Sequence, residues 1–249
     1  MRLMDGVRLA VGTLSVFPVR VRRVDRQVAG QAMVLAPAAG LVLGLLAGLP
    51  LLLPAPPLLG AALAVGLAAL LTRGLHLDGL ADLADGLGSG KPADQALDIM
   101  KKSDIGPFGV MTLVFTLLVQ VAAVAEAGYW ALVTACVAGR LTLAWACREG
   151  VPAARSEGLG AMVAGTVRRP AAWLATLAAS LTAVLIGLLA GAWSGVPAGA
   201  SLALLAGTGV ALLLLRHARR RLGGITGDVL GALVETATAA TLVVWALLP

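Results

Sequence analysis

The feature that most constrains this chain is its succession of long apolar runs. Seven of them, at roughly 33–53, 58–72, 106–125, 130–147, 171–192, 198–215 and 229–248, carry almost no charge. A helix needs about 20 such residues to cross a bilayer. Charged residues are only 13% of the chain, against about 25% in ordinary domains. That leaves too little polar surface to cover a water-soluble globule of 249 residues. Backbone exposed to lipid must satisfy its own hydrogen bonds, so helices or closed barrels are the choices. Barrel strands alternate apolar and polar side chains over about ten positions, and these runs do not. The expectation is an all-α, polytopic integral membrane helix bundle of about seven transmembrane helices, one membrane-embedded domain over 1–249. The second run is short and is expected to extend into 73–77. The opening apolar stretch at 9–19 is too short to span, is interrupted by Pro18 and reads as an interfacial or partial helix rather than a secretory signal.

Charge alternates from loop to loop. Arg2, Arg8, Arg20, Arg22, Arg23 and Arg26 precede the first run; Arg73, Lys91, Lys101 and Lys102 follow the second. Arg148, Arg155, Arg168 and Arg169 follow the fourth, and Arg216, Arg219, Arg220 and Arg221 the sixth. The connections near 54–57, 126–129 and 193–197, and the C-terminus, hold no Lys or Arg. Positive loops stay in the cytoplasm. This predicts a cytoplasmic N-terminus, an outer C-terminus and a place in the cell (inner) membrane. The long polar loops, roughly 73–105, 148–170 and 216–228, then form a cytoplasmic face that carries the chemistry. The same placement explains a net charge of +6 by topology, and no nucleic-acid partner is expected. Cys136 and Cys147 have no metal-ligand spacing and read as buried spectators.

The densest chemical signal is Arg73–Gly–Leu–His76–Leu–Asp78–Gly79–Leu–Ala–Asp82–Leu–Ala–Asp85–Gly86. On a helix, Asp78, Asp82 and Asp85 stand at i, i+4 and i+7 and share a face, while Leu77, Leu80, Leu83 and Leu87 lie elsewhere and can bury. Like charges so spaced repel by a few tenths of a kcal/mol in water, and more beside a membrane. A bound divalent cation removes the conflict, and carboxylates without cysteine suit Mg²⁺ or Mn²⁺. Mg²⁺ commonly takes one or two carboxylates plus substrate phosphates, which points to phosphoryl transfer. Gly79 and Gly86 would let phosphate approach the backbone, and His76 would orient a carboxylate or accept a proton.

Further polar positions need a reason. Lys101, Lys102, Ser103 and Asp104 precede the third run and fit a loop contacting pyrophosphate; Asp94 and Asp98 read as solvated. Arg140 and Glu235 lie inside the fourth and seventh runs, each roughly 10 Å from the cytoplasmic boundary at ~1.5 Å per residue. Intramembrane charges are usually paired or functional, so an ion pair between them beneath the active site is expected, with Arg140 also a candidate substrate-binding residue. Arg155 fits a phosphate ligand. Thr226 or Asp228 would cap the last helix, or Asp228 would add a carboxylate to the metal site.

These segments together resemble the cobalamin synthase (adenosylcobinamide-GDP ribazoletransferase) family. The matching stretches run from His76 to Gly86, from Ile99 to Gly109, from Arg155 to Gly160 and over Gly224–Ile–Thr–Gly–Asp228–Val–Leu–Gly–Ala, with Leu14–Ser–Val–Phe–Pro18 at the start. One departure is an apparent exchange of charge between Lys102 and Asp104. The resemblance implies a Mg²⁺-dependent condensation of α-ribazole, or its 5′-phosphate, with adenosylcobinamide-GDP, releasing GMP. It implies metal on Asp78, Asp82 and Asp85, and anionic groups held by Lys101, Lys102 and Arg155. It also admits other enzymes of the cobalamin pathway, and the lipid bilayer, as partners. Two other readings share parts of this pattern. A CDP-alcohol phosphotransferase also uses Asp-rich membrane helices, but Leu–Gly–Ser–Gly–Lys–Pro after Gly86 does not continue its motif. An ion-coupled transporter would use Arg140, Glu235 and the acidic cluster as an ion path, but the acidic residues gather on one side.

Overall fold

A computed structural model describes residues 2–21, 24–194 and 199–248, with the side chains of Arg2 and of 192–194 not described. Arg22, Arg23 and most of the 193–197 connection, on which part of the charge reading rests, lie outside the described residues. The described residues form helices and no strands, apart from two isolated bridges.

Helix α1 (Arg2–Leu14) is short, and its Gly6 lies against Gln31 of α2. Helix α2 (Arg26–Ala47) starts where Asp25 accepts a hydrogen bond from the Val28 N–H, and a 3₁₀ turn at Leu49–Leu52 ends its crossing. Helix α3 (Pro57–Leu71) does not extend into 73–77. Arg73 and Gly74 both take positive φ, 57° and 66°, and the chain turns by 89° into α4 (Leu75–Gly88). The expected extension is therefore corrected. The acidic segment is a separate helix that leaves the α3 axis, because two left-handed residues in succession stop the first helix.

After α5 (Ala93–Ile99) comes α6 (Pro107–Ala146), which bends back at Gly128 (φ 75°, ψ −161°). Leu117 and Gln120 line the same small pocket as Leu132, Cys136 and Arg140. A straight helix would separate 117 from 140 by ~34 Å, so 107–127 and 129–146 form a helical hairpin. Only glycine adopts that backbone conformation without strain. Helices α7 (Gly158–Val163), α8 (Arg169–Ser194), α9 (Gly199–Leu222) and α10 (Gly227–Leu247) complete the bundle.

Among the described residues, five helices are long and apolar enough to cross a membrane, or six if α3 and α4 count as one bent span. Helix α8 turns Leu174, Leu177, Leu181, Leu185 and Leu188 outward. An exposed apolar strip of that length is a liability in water and a match to lipid. Helix α10 is central, with Leu233, Val234, Ala237 and Leu242 fully buried. Both cysteines are buried and free, as expected.

Candidate active site

The site forms where α4 meets the N-terminal turn of α10. A Cβ on Gly79 would stand 2.9 Å from the Asp228 Cα, and one on Gly231 would stand 3.1 Å from the His76 Cα. The two backbones touch because neither helix has a side chain at the crossing. This corrects the reading of Gly79 as a phosphate approach point. Gly86 likewise faces the Met100 side chain, so both glycines serve helix packing.

Contact between α4 and α10 brings Asp78 and Asp82 to Asp228. Thr226 caps α10 by accepting from the Val229 N–H at 3.2 Å, and its hydroxyl donates to Asp228 Oδ2 at 3.1 Å. That frees Asp228 from capping. Its Oδ2 lies 3.5 Å from an Arg155 guanidinium nitrogen, and Arg155 also donates to the Leu97 carbonyl at 2.6 Å. The Arg155 segment is held there by backbone pairing: the Ala154 N–H donates to the Ile225 carbonyl, and the Ile225 N–H to the Pro152 carbonyl. Arg26 on α2 donates to the carbonyls of Ala161 and Ala164 at the end of α7, which fixes the far side of the same loop.

Asp85 departs from its two neighbours. It is buried, and its Oδ2 accepts from the Gly106 N–H at 2.7 Å while Oδ1 accepts from the Gly109 N–H at 2.9 Å. These are free amides at the start of α6, so Asp85 caps that helix from a distance. Both of its oxygens are occupied by protein donors. Asp78 is exposed and Asp82 half-buried. Burial raises the Asp82 carboxyl to about 6, with the charges of Asp228, Asp78 and Asp85 adding to the effect.

Two cavities flank this acidic stripe. One, of ≈310 Å³, is lined by His76, Asp78, Arg155, Glu157, Thr226 and Asp228, with Leu14, Met33, Leu143 and Leu230 as its apolar wall. The other, of ≈250 Å³, is lined by Asp82, Asp85, Lys102 and Asp104 beside Gly106 and Phe108. Lys101 and Ser103 are exposed and line neither, and Asp94 and Asp98 are exposed as expected. His76 is 3% exposed, and both of its ring nitrogens lack a hydrogen-bond partner.

Arg140 does not reach either cavity, which corrects its assignment to substrate. It is buried in a pocket of ≈30 Å³ together with Glu235. The expected ion pair is also absent among the described residues. Glu235 instead accepts from the Gln120 amide at 2.8 Å, and Arg140 Nε has no partner. The two charges line one pocket, but the α6 hairpin brings Gln120 to the carboxylate. Nothing in the sequence alone marks the apolar cavity wall as part of a site. Leu14, Met33, Leu143 and Leu230 belong to separate elements and look like ordinary core; Leu14 and Leu230 fall within the matching stretches, and Met33 and Leu143 within none. Glu157 falls within one as well, unassigned.

No group of three or more His, Cys, Asp or Glu among the described residues is arranged to hold a metal with protein ligands alone. The donors fit a hard cation that shares its coordination with a substrate: Asp78, Asp82 and Asp228 crowd like charges that such an ion would neutralise.

Fold and site define a polytopic helical membrane protein with a carboxylate-rich site at one end of its bundle. The chain belongs to the cobalamin-5-phosphate synthase family, whose model matches residues 6–246. It is 46% identical to an adenosylcobinamide-GDP ribazoletransferase of Frankia casuarinae, over 98% of this chain and 95% of that one. To a protein of the same name from a Nocardioides species it is 43% identical, over 97% and 98%. To one from Corynebacterium efficiens it is 37% identical, over 95% and 89%. No solved structure matches the chain.

Proposed function

We propose that this protein joins α-ribazole, or its 5′-phosphate, to adenosylcobinamide-GDP and releases GMP, with Mg²⁺ as cofactor. Family membership and the names of the relatives support the reaction. The observation that carries its mechanism is the convergence of Asp78, Asp82 and Asp228 from two helices beside Arg155.

Asp78 and Asp82, with Asp228 opposite, would hold Mg²⁺; Asp85 is committed to the start of α6. When bound, the ion supplies charge neutralisation on the diphosphate oxygens. Arg155 and Lys102 hold anionic groups on either side of the stripe. A ribose hydroxyl oxygen attacks the corrinoid-side phosphorus, the phosphorus–oxygen bond to GMP breaks, and the hydroxyl proton passes to a carboxylate facing the cavity. Bound groups displace water from the apolar wall, which strengthens these charge interactions.

The α6 hairpin raises the crossing count to seven when α2, α3, both halves of α6, α8, α9 and α10 each span. Helix α4 then lies outside the spans, at the cytoplasmic rim of the inner membrane, with the N-terminus inside. The test is GMP release from adenosylcobinamide-GDP and α-ribazole by purified protein, with Mg²⁺ or with excess chelator. Release that requires both substrates and the metal is expected. CMP release from a CDP-alcohol, or no nucleotide release, overturns the reading.

A further inference from the structure

We propose that the ≈310 Å³ cavity is the nucleoside subsite, taking a ribose that carries a flat, mostly apolar base. The diphosphate-bearing substrate then approaches from the other side of the acidic stripe. This rests on the function proposed above and adds to it which substrate occupies which side.

Three observations carry the division. First, the cavity has a dry side. Leu14, Met33, Leu143 and Leu230 are all no more than 4% exposed, and they come from α1, α2, α6 and α10. Small-molecule sites of about 300–1,000 Å³ typically combine such a wall with a few placed polar groups. At ≈310 Å³ the space suits a nucleoside and is far too small for a corrinoid nucleotide.

Second, the cavity holds unspent hydrogen-bonding capacity. His76 lines it, is 3% exposed and has no partner on either ring nitrogen. A neutral imidazole offers one donor and one acceptor, and leaving them empty in a buried site is costly. A ring nitrogen of the base and a ribose hydroxyl are the groups that would satisfy them. Arg155 Nε, on the same lining, is buried and unpartnered as well.

Third, Asp78 and Asp82 face different spaces. Asp78 lines the enclosed cavity, and Asp82 lines the second one with Lys102 and Asp104. Neighbours at i and i+4 are about 5–6 Å apart. A hydroxyl delivered past Asp78 thus meets a phosphorus held near Asp82 across the stripe. Lys102 gives the second cavity a cation for phosphate, and all of its lining is partly open or exposed except Asp85. A large substrate whose bulk stays in solvent requires that openness.

The test separates the two substrates. Leu143→Trp fills the cavity, and His76→Phe keeps its volume while removing the hydrogen bonds. Each is expected to raise KM for α-ribazole about tenfold or more, with KM for adenosylcobinamide-GDP changed less than twofold. Equal losses for both substrates, or no loss for ribazole, overturn the assignment. Calorimetry of α-ribazole binding to folded wild-type protein in detergent, and to Met33→Ala as a second, milder variant, covers the case in which the bulky variant does not fold. Heat on ribazole addition that weakens in Met33→Ala supports the subsite, and an unchanged affinity contradicts it. If wild-type protein binds ribazole but releases no GMP, the reaction fails and the subsite stands.

Discussion

Asp82 and Asp85 are three residues apart on α4, yet their surroundings demand opposite things of them. Asp85 accepts two backbone N–H groups at the start of α6. Hydrogen bonds to a charged group contribute about 1.5–3 kcal/mol each. Asp85→Ala is therefore expected to lower the unfolding free energy by about 2 kcal/mol or more, read as a loss of thermal stability in detergent before any kinetic effect is considered. Asp82 is held to about 6 by burial and by three neighbouring carboxylates. Its charged form is disfavoured in the folded state, so folding of the metal-free protein takes up a proton between the unfolded value and about 6. Lowering pH from about 7 through 6 towards about 4 should then stabilise the metal-free protein through this group, with most of the gain below 6. The difference between wild type and Asp82→Asn in thermal melts over that range isolates it. A difference independent of pH contradicts the assignment. The i, i+4, i+7 spacing made the shared stripe legible in the sequence. It could not reveal that one member is consumed by amides 21 and 24 residues further on.

At the scale of elements, two backbone devices shape the site. The left-handed pair Arg73 and Gly74 turns α4 away from α3, and Gly128 folds α6 on itself. Gly128→Ala is expected to cost about 1–3 kcal/mol from backbone strain alone, whereas alanine at Gly66, which meets open space inside α3, should be near neutral or slightly favourable. Comparing their melting temperatures checks this. The apolar runs announced most helices, because a bilayer demands length and composition that any reader of the chain can count. The 89° turn at 73–74 is hidden in the sequence because hydropathy continues past it through Leu75 and Leu77. The roles of Gly79 and Gly231 were hidden for a different reason. A glycine that opens a helix crossing and one that admits a ligand have the same sequence signal, and only the partner backbone distinguishes them. Equal depth suggests an Arg140–Glu235 pair, but depth says nothing about the other arm of the α6 hairpin, which supplies Gln120.

For the whole molecule, the alternation of basic and bare loops predicts that α4, α7 and the start of α10 share the cytoplasmic face. Cys136 and Cys147 are buried, so they should be silent towards impermeant thiol reagents. Cysteine placed at Arg220 should label only after the membrane is opened in right-side-out vesicles, and cysteine placed at Leu247 should label from outside. The reverse pattern would invert the topology and move the active site to the outer face. The cavity wall illustrates what long-range packing adds. Leu14, Met33, Leu143 and Leu230 are scattered over 217 positions of sequence and become one surface only when four helices assemble.

The most direct test of the account is a Mg²⁺ titration of GMP release by wild type and by Asp82→Ala in detergent. The account predicts that the variant loses turnover by at least a hundredfold, or needs at least tenfold more Mg²⁺, while melting no lower than wild type. Turnover and Mg²⁺ dependence that are unchanged by Asp82→Ala would contradict it.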